Sequence, residues 1–150
     1  MEVFLTCTQR ATLKALLDQI IPNKNNMPSA GETSTGYIES SVLVSAHNAH
    51  VVLDILKAIH TISDARHSKP FSSLVDSAKK SALAMVENKE PDLFNAFVRL
   101  AYSGYYTNAS VIKRLGPNAR KPQPEGFPIA PFDPTIVKNV RDLGPRYRET

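Results

Sequence analysis

The sequence predicts an all-α protein: an irregular bundle of about five main helices, followed by a long Pro-rich, mostly extended C-terminal segment. Three observations point there. Apolar residues recur at helical spacing in five separate stretches. No run shows the strict alternation of a half-buried strand. Six of the eleven prolines crowd between Pro117 and Pro134, where each removes a backbone donor and blocks helix continuation. The division is 1–116 for the helical bundle and 117–150 for the strap, both within a single domain. A chain of 150 residues is large enough for a real core.

The elements follow in order. Over residues 8–21, Leu13, Leu16, Leu17, Ile20 and Ile21 repeat the i, i+3, i+4, i+7, i+8 pattern of one buried face. Thr6-x-x-Gln9 fits a capping box, with Thr8 as a competing cap. Pro22 and the Asn-rich stretch to Pro28 end this helix, and residues 22–34 read as a polar loop. A second helix covers 35–43, with Tyr37, Ile38 and Val42 inward. A third covers 46–62, with Val51, Val52, Ile55, Leu56, Ile59 and Ile62 along one face. Residues 64–70 read as a break, after which Phe71 and Leu74 re-enter the core. Ser72 or Ser73 then caps a fourth helix reaching residue 86, with Leu74, Val75, Ala78, Ala82, Leu83 and Val86 inside. Residues 87–90 form a polar turn. Pro91 suits the first turn of a fifth helix, which buries Leu93, Phe94, Phe97, Val98 and Ala101 and ends near Gly104. Short helices at 110–115 and 134–143 complete the pattern, with Gly116 and Gly144 at C-terminal cap positions. Asn108 or Ser110 opens the first of these.

Composition narrows the function classes. The chain is 42% hydrophobic and 21% charged, an ordinary globular balance rather than a disordered one. Its single cysteine, Cys7, permits no intrachain disulfide. No stretch approaches the roughly 20 apolar residues of a membrane span. The start, Met1-Glu2-Val3-Phe4, shows neither a signal peptide nor a twin-arginine motif, so a cytoplasmic location is expected. Residues 1–112 hold ten basic and ten acidic side chains, whereas 113–150 hold eight basic and four acidic. The whole net charge of +4 therefore sits in the C-terminal segment, which suits an acidic partner or nucleic acid and equally a solvated tail.

Site chemistry is sparse. His47 and His50 share a helical face that Asp54 continues, a spacing able to hold a metal. It is also the pattern of an exposed polar face. His60 and His67 have no partner nearby in sequence. Cys7 reads as a small buried or partly buried residue, since nothing around it matches a thiol-enzyme signature. No P-loop, GxGxxG or Gly-x-Ser-x-Gly motif occurs. The expectation is no catalytic, metal or cofactor site in this chain. The alternatives are a stand-alone helical ligand- or metal-binding protein using His47 and His50, with His60 in reserve, and a nucleic-acid binder using the basic tail. No nucleic-acid-binding motif supports the last, so nucleic acid is not expected as a partner.

The strap carries more information than the bundle. Ordering 18 residues costs on the order of 25–30 kcal/mol, which needs roughly 1,000 Å² of apolar burial to offset. Prolines lower that cost by fixing φ before folding. Phe127, Ile129 and Phe132 recur two to three residues apart, suited to anchoring an extended chain in shallow pockets. Tyr105, Tyr106 and Tyr147 add amphipathic aromatics of the interface type. The strap thus reads as lying on a surface, its own or a partner's.

The same residues carry a resemblance. Leu13-x-x-Leu16-Leu17-Asp18-x-Ile20-Ile21-Pro22, Pro28-Ser29-Ala30-Gly31-Glu32, Tyr37-Ile38, Phe71-x-x-Leu74, Leu93-Phe94-x-x-Phe97 and Gly104-Tyr105-Tyr106 occur in order. They are followed by Leu115-Gly116, Gln123-Pro124-x-Gly126, Phe132-Asp133 and Gly144-Pro145-x-Tyr147-Arg148. This series resembles the gluconate 2-dehydrogenase subunit 3 family. The resemblance implies a small, helical, non-catalytic subunit that binds and stabilises a large flavoprotein of the glucose-methanol-choline (GMC) type. That partner carries the FAD and oxidises a sugar or alcohol. Several relatives carry a twin-arginine signal and take the folded complex to the periplasm. The strap's aromatics and these motifs together give the expected partner-binding set: Tyr105, Tyr106, Gln123, Pro124, Gly126, Phe127, Phe132, Arg146, Tyr147 and Arg148.

Overall fold

The computed structural model describes residues 5–120 and 131–143. The described chain is all-α, with α1 at Cys7–Ile20, α2 at Ala30–Thr33, α3 at Thr35–Val44, α4 at Ala46–His67, α5 at Asp76–Lys89, α6 at Pro91–Thr107, α7 at Ala109–Leu115 and α8 at Lys138–Asp142. Short 3-10 turns at Phe71–Ser73 and Pro134–Val137 join them. No strand occurs among the described residues; one isolated bridge pairs Lys24 with Met27.

The central element is α4, which packs against α3, α5 and α6. Its Val52, Ile55 and Ile59 are fully enclosed, together with Leu13, Leu16 and Leu17 of α1, Ile38 of α3, Phe71, and Phe97 and Ala101 of α6. Those positions match the apolar periodicity, because a 3.6-residue repeat puts them on one side of each helix. The Thr6–Gln9 capping box forms in both directions: the Thr6 amide donates to Gln9 Oε1 at 2.9 Å, and the Gln9 amide to Thr6 Oγ1 at 3.2 Å. Pro91 sits in the first turn of α6. Asn108 caps α7, its Oδ1 accepting from the Ser110 amide at 2.9 Å.

Seven local expectations are corrected. The loop 22–34 contains α2, and its Asn25 and Asn26 both take positive φ, 51° and 64°. Asparagine tolerates that region, and the pair closes a tight turn between Lys24 and Met27. α4 runs on to His67 and stops only at Ser68, a left-handed cap at φ 49° whose amide donates to Asp64. Ser72 and Ser73 lie in the 3-10 turn, and α5 starts at Asp76. Leu74 and Val75 are both extended, so successive side chains point opposite ways: Leu74 is buried and Val75 exposed. The expected turn at 87–90 shrinks to Glu90, where α5 and α6 abut. Tyr37 is half-exposed, since Ile38 and Val42 take the inward stripe one position round the helix. Cys7 is exposed, at the first position of α1.

Candidate partner-docking surface

The Gly104-Tyr105-Tyr106 motif lies at the end of α6, and its three residues have different fates. Gly104 is where α6 meets the α2–α3 junction. A Cβ there would stand 3.0 Å from Ser34 Cβ and 3.0 Å from the Tyr37 ring. Tyr105 is 3% exposed, and its hydroxyl donates to the buried Pro28 carbonyl at 3.0 Å. Burial raises its pKa, Tyr106 adds to that, and Arg114 opposes it. Tyr105 therefore belongs to the fold, not to an open surface. Tyr106 faces outward, stacked parallel on Tyr102 with centroids 6.0 Å apart and edge-on to Tyr105.

The Tyr105 bond is one of several that tie the 26–34 stretch to the rest of the bundle. Asn108 Nδ2 donates to the carbonyl of Thr33, the last residue of α2, at 3.0 Å. Ser34 Oγ donates to the Ala101 carbonyl at 3.3 Å, and Arg114 donates to the Asn26 carbonyl. At the other end of α2, Asp18 of α1 accepts from the Gly31 amide at 3.0 Å. A carboxylate suits that end, where unpaired N–H groups leave positive charge. Gly31 lacks a side chain for a steric reason: a Cβ would stand 2.3 Å from Asp18 Oδ1 and 2.7 Å from the Lys14 carbonyl. Two separated motifs, Leu-Leu-Asp and Pro-Ser-Ala-Gly, thus meet in one contact. A four-residue helix cannot sustain itself; this one is held by side chains from α1 and the α6–α7 junction.

The described part of the strap contrasts with this. Phe132 is 70% exposed, Ile136 72% and Leu143 58%. Asp133 caps the turn that follows: its Oδ1 accepts from the Thr135 amide at 2.9 Å and from Thr135 Oγ1 at 2.7 Å. Those bonds lower the Asp133 pKa, the side-chain bond contributing most. The 3-10 turn and α8 pack on each other. Of the expected docking residues, Gln123, Pro124, Gly126, Phe127, Arg146, Tyr147 and Arg148 lie outside the described residues, as do Ile129 and Gly144. Phe132 and Tyr106 are described and open to solvent.

The histidines do not converge. His47, His50, His60 and His67 are all exposed, and among the described residues no three His, Cys, Asp or Glu side chains group as metal ligands. His60 and Asp64 border a groove of about 250 Å³ that also touches Thr12, Leu56 and Phe71. No helix of the described residues is long and apolar enough to cross a membrane.

Ile136 and Leu143 escaped the sequence reading as docking candidates because helical spacing alone does not separate a stripe facing its own core from one facing outward. The Asp18–Gly31 contact was hidden in a stretch read as loop. Among comparisons with known proteins, the family model described as gluconate 2-dehydrogenase subunit 3 matches residues 8–121. No curated protein and no solved structure matches the chain.

Proposed function

The chain belongs to the gluconate 2-dehydrogenase subunit 3 family, and from that premise we propose that it is the non-catalytic small subunit of its complex. In this reading it binds a large FAD-dependent GMC-type oxidoreductase subunit acting on a sugar or alcohol. It stabilises that partner during folding and assembly. The FAD resides in the partner, and none is expected here.

The observation that carries the reading is the family match over residues 8–121, which spans every helix of the bundle from α1 to α7 apart from the first residue of α1. The motifs inside it build a frame: Asp18 and Gly31, Tyr105 and Pro28, Asn108 and Thr33 all hold the bundle together. A frame with such internal ties, joined to a tail whose described Phe132, Ile136 and Leu143 are exposed, is what a presenting subunit requires.

Co-expression tests it. The large flavoprotein, produced with and without this chain, is compared for solubility, flavin content and dehydrogenase activity. The expected outcome is a stable complex and a several-fold rise in soluble, flavin-loaded partner. A flavoprotein equally soluble, loaded and active alone would sink the proposal.

A further inference from the structure

Where α1 packs on α4 and the first 3-10 turn, their side chains enclose the groove of about 250 Å³. Thr12 lines it from α1. Leu56, His60 and Asp64 line it from α4, spaced four residues apart and so on one side of that helix. Lys69 and Phe71 close it where α4 leads into the turn. The floor is apolar, with Leu56 4% and Phe71 1% exposed. His60, Asp64 and Lys69 are exposed side chains and form its rim.

The polar groups around that floor are uncommitted. Thr12 is more than nine-tenths buried, at 8% exposure, yet its hydroxyl makes no hydrogen bond among the described residues. A threonine inside a helix commonly turns its hydroxyl back on the carbonyl four residues earlier. Thr33, Thr35 and Thr61 all do so; Thr12 does not. Nor is its oxygen sealed in the core, since among the described residues Ser63 Oγ alone is both fully occluded and unpaired. The access Thr12 keeps is to the groove it lines. The His60 ring, the Asp64 carboxylate and the Lys69 ammonium are likewise unpaired among the described residues, whose one ion pair is Arg10–Glu39. A few convergent polar groups over an apolar lining are what a small-molecule site consists of.

We propose that this groove binds a small neutral molecule with one apolar ring and one hydroxyl group, of the phenol class. Size selects the ring. The volume falls just below the roughly 300 Å³ at which sites for larger ligands begin, and the Phe71 beneath offers an aromatic neighbour. Charge selects the hydroxyl. A ligand ammonium would be opposed by Lys69, and a carboxylate by Asp64. A neutral hydroxyl meets both, donating to the Asp64 carboxylate and accepting from Lys69 or Thr12. A sugar would press several hydroxyls against Leu56 and Phe71 without partners. This chemistry does not involve the large subunit, so the site stands or falls apart from the accessory-subunit role.

The test is a titration of the full chain with p-cresol, followed by amide NMR, beside toluene, benzylamine and phenylacetate. Expected is saturable p-cresol binding with a Kd of about 1 mM or tighter, shifting the amides around Thr12, His60, Asp64 and Lys69. Each of the other three probes should bind at least threefold more weakly. Thr12→Val keeps the shape and removes the hydroxyl, and Asp64→Asn removes the charge at an exposed site. Each should weaken p-cresol by roughly three- to tenfold, with the unfolding midpoint unmoved. Val44→Asp, at an 86% exposed site on α3, should bind as wild type. Absence of saturable binding, equal affinity for all four probes, shifts centred on another part of the bundle, or full affinity in both groove variants each overturns the site. Deleting residues 1–4 should leave p-cresol affinity unchanged. A tenfold gain would make the start of this chain the occupant and overturn the free ligand.

Discussion

Tyr105 and Phe132 are both aromatic residues of the C-terminal third, and they do opposite things. Tyr105 is sealed in the bundle with its hydroxyl on the Pro28 carbonyl; Phe132 stands 70% exposed. The same contrast holds between their neighbourhoods. Around α2, every turn of backbone is held by a side chain from a distant helix. Across 132–143, the bonds of Asp133 reach no farther than Thr135. Stability is concentrated in the first region, and available apolar contact in the second. A residue type common at interfaces does not reveal which of the two it serves.

Mutations can widen or close that gap, and their expected effects descend from bundle to tail. Phe97→Ala empties a fully enclosed site on α6 and should cost about 3–5 kcal/mol in urea unfolding. Gly31→Ala should cost roughly 1–3 kcal/mol, because the Lys14 carbonyl 2.7 Å from the new Cβ is backbone and cannot swing aside. Its thermal midpoint should fall accordingly, whereas Gly36→Ala, with nothing among the described residues within 4 Å of its Cβ position, should leave the midpoint in place.

Tyr105→Phe should cost about 1–2 kcal/mol by leaving the Pro28 carbonyl unpaired. It also has a pH signature. Because folding raises the Tyr105 pKa, its contribution is whole below the unfolded tyrosine value of about 10. It is lost as pH rises through the folded value. Wild-type unfolding monitored between pH 9 and 12 should steepen there, and Tyr105→Phe should flatten that limb. If the two curves run parallel, Tyr105 is not the sensitive group.

The smallest effects test the contrast from the other side. Ser63 Oγ is buried with no hydrogen-bond partner among the described residues, so Ser63→Ala should be neutral or stabilising by under about 1 kcal/mol. Phe132→Ala in the tail should change unfolding by less than about 0.5 kcal/mol. A loss of 2 kcal/mol or more from Phe132→Ala would erase the contrast and make the tail part of the bundle.

Much of this was legible in the residues. The core faces of α1, α4 and α6, the Thr6–Gln9 box and the Asn108 cap each follow from local spacing or local chemistry. Four features were not, for separable reasons. α2 has too few residues to show a period. The end of α4 is decided by Ser68 adopting a left-handed turn, which no composition rule demands of serine. Tyr37 reads as inward because neighbouring positions on a stripe look alike until the helix register is known, and Val75 because the residues around it read as helical, whereas it lies extended before α5 begins. For the docking surface, the strap's apolar and aromatic content marked Phe132, but the burial of Tyr105 depends on a carbonyl 77 positions away. Ile136 and Leu143 have an ordinary core spacing; only their exposure distinguishes them.

The ties around α2 have a consequence for how the chain is made. Tyr105 to Pro28, Asn108 to Thr33, Ser34 to Ala101 and Arg114 to Asn26 span 77, 75, 67 and 88 positions. Closing loops of that length is slow compared with winding a helix. During synthesis, α1 to α4 emerge long before α6 exists, and the 26–34 stretch can meet Asp18 and Ile21 of the α1 end but none of its four partners on α6 and α7. The last bonds at that stretch form only after residue 114 leaves the ribosome. The bundle therefore completes late, once α6 and α7 are made.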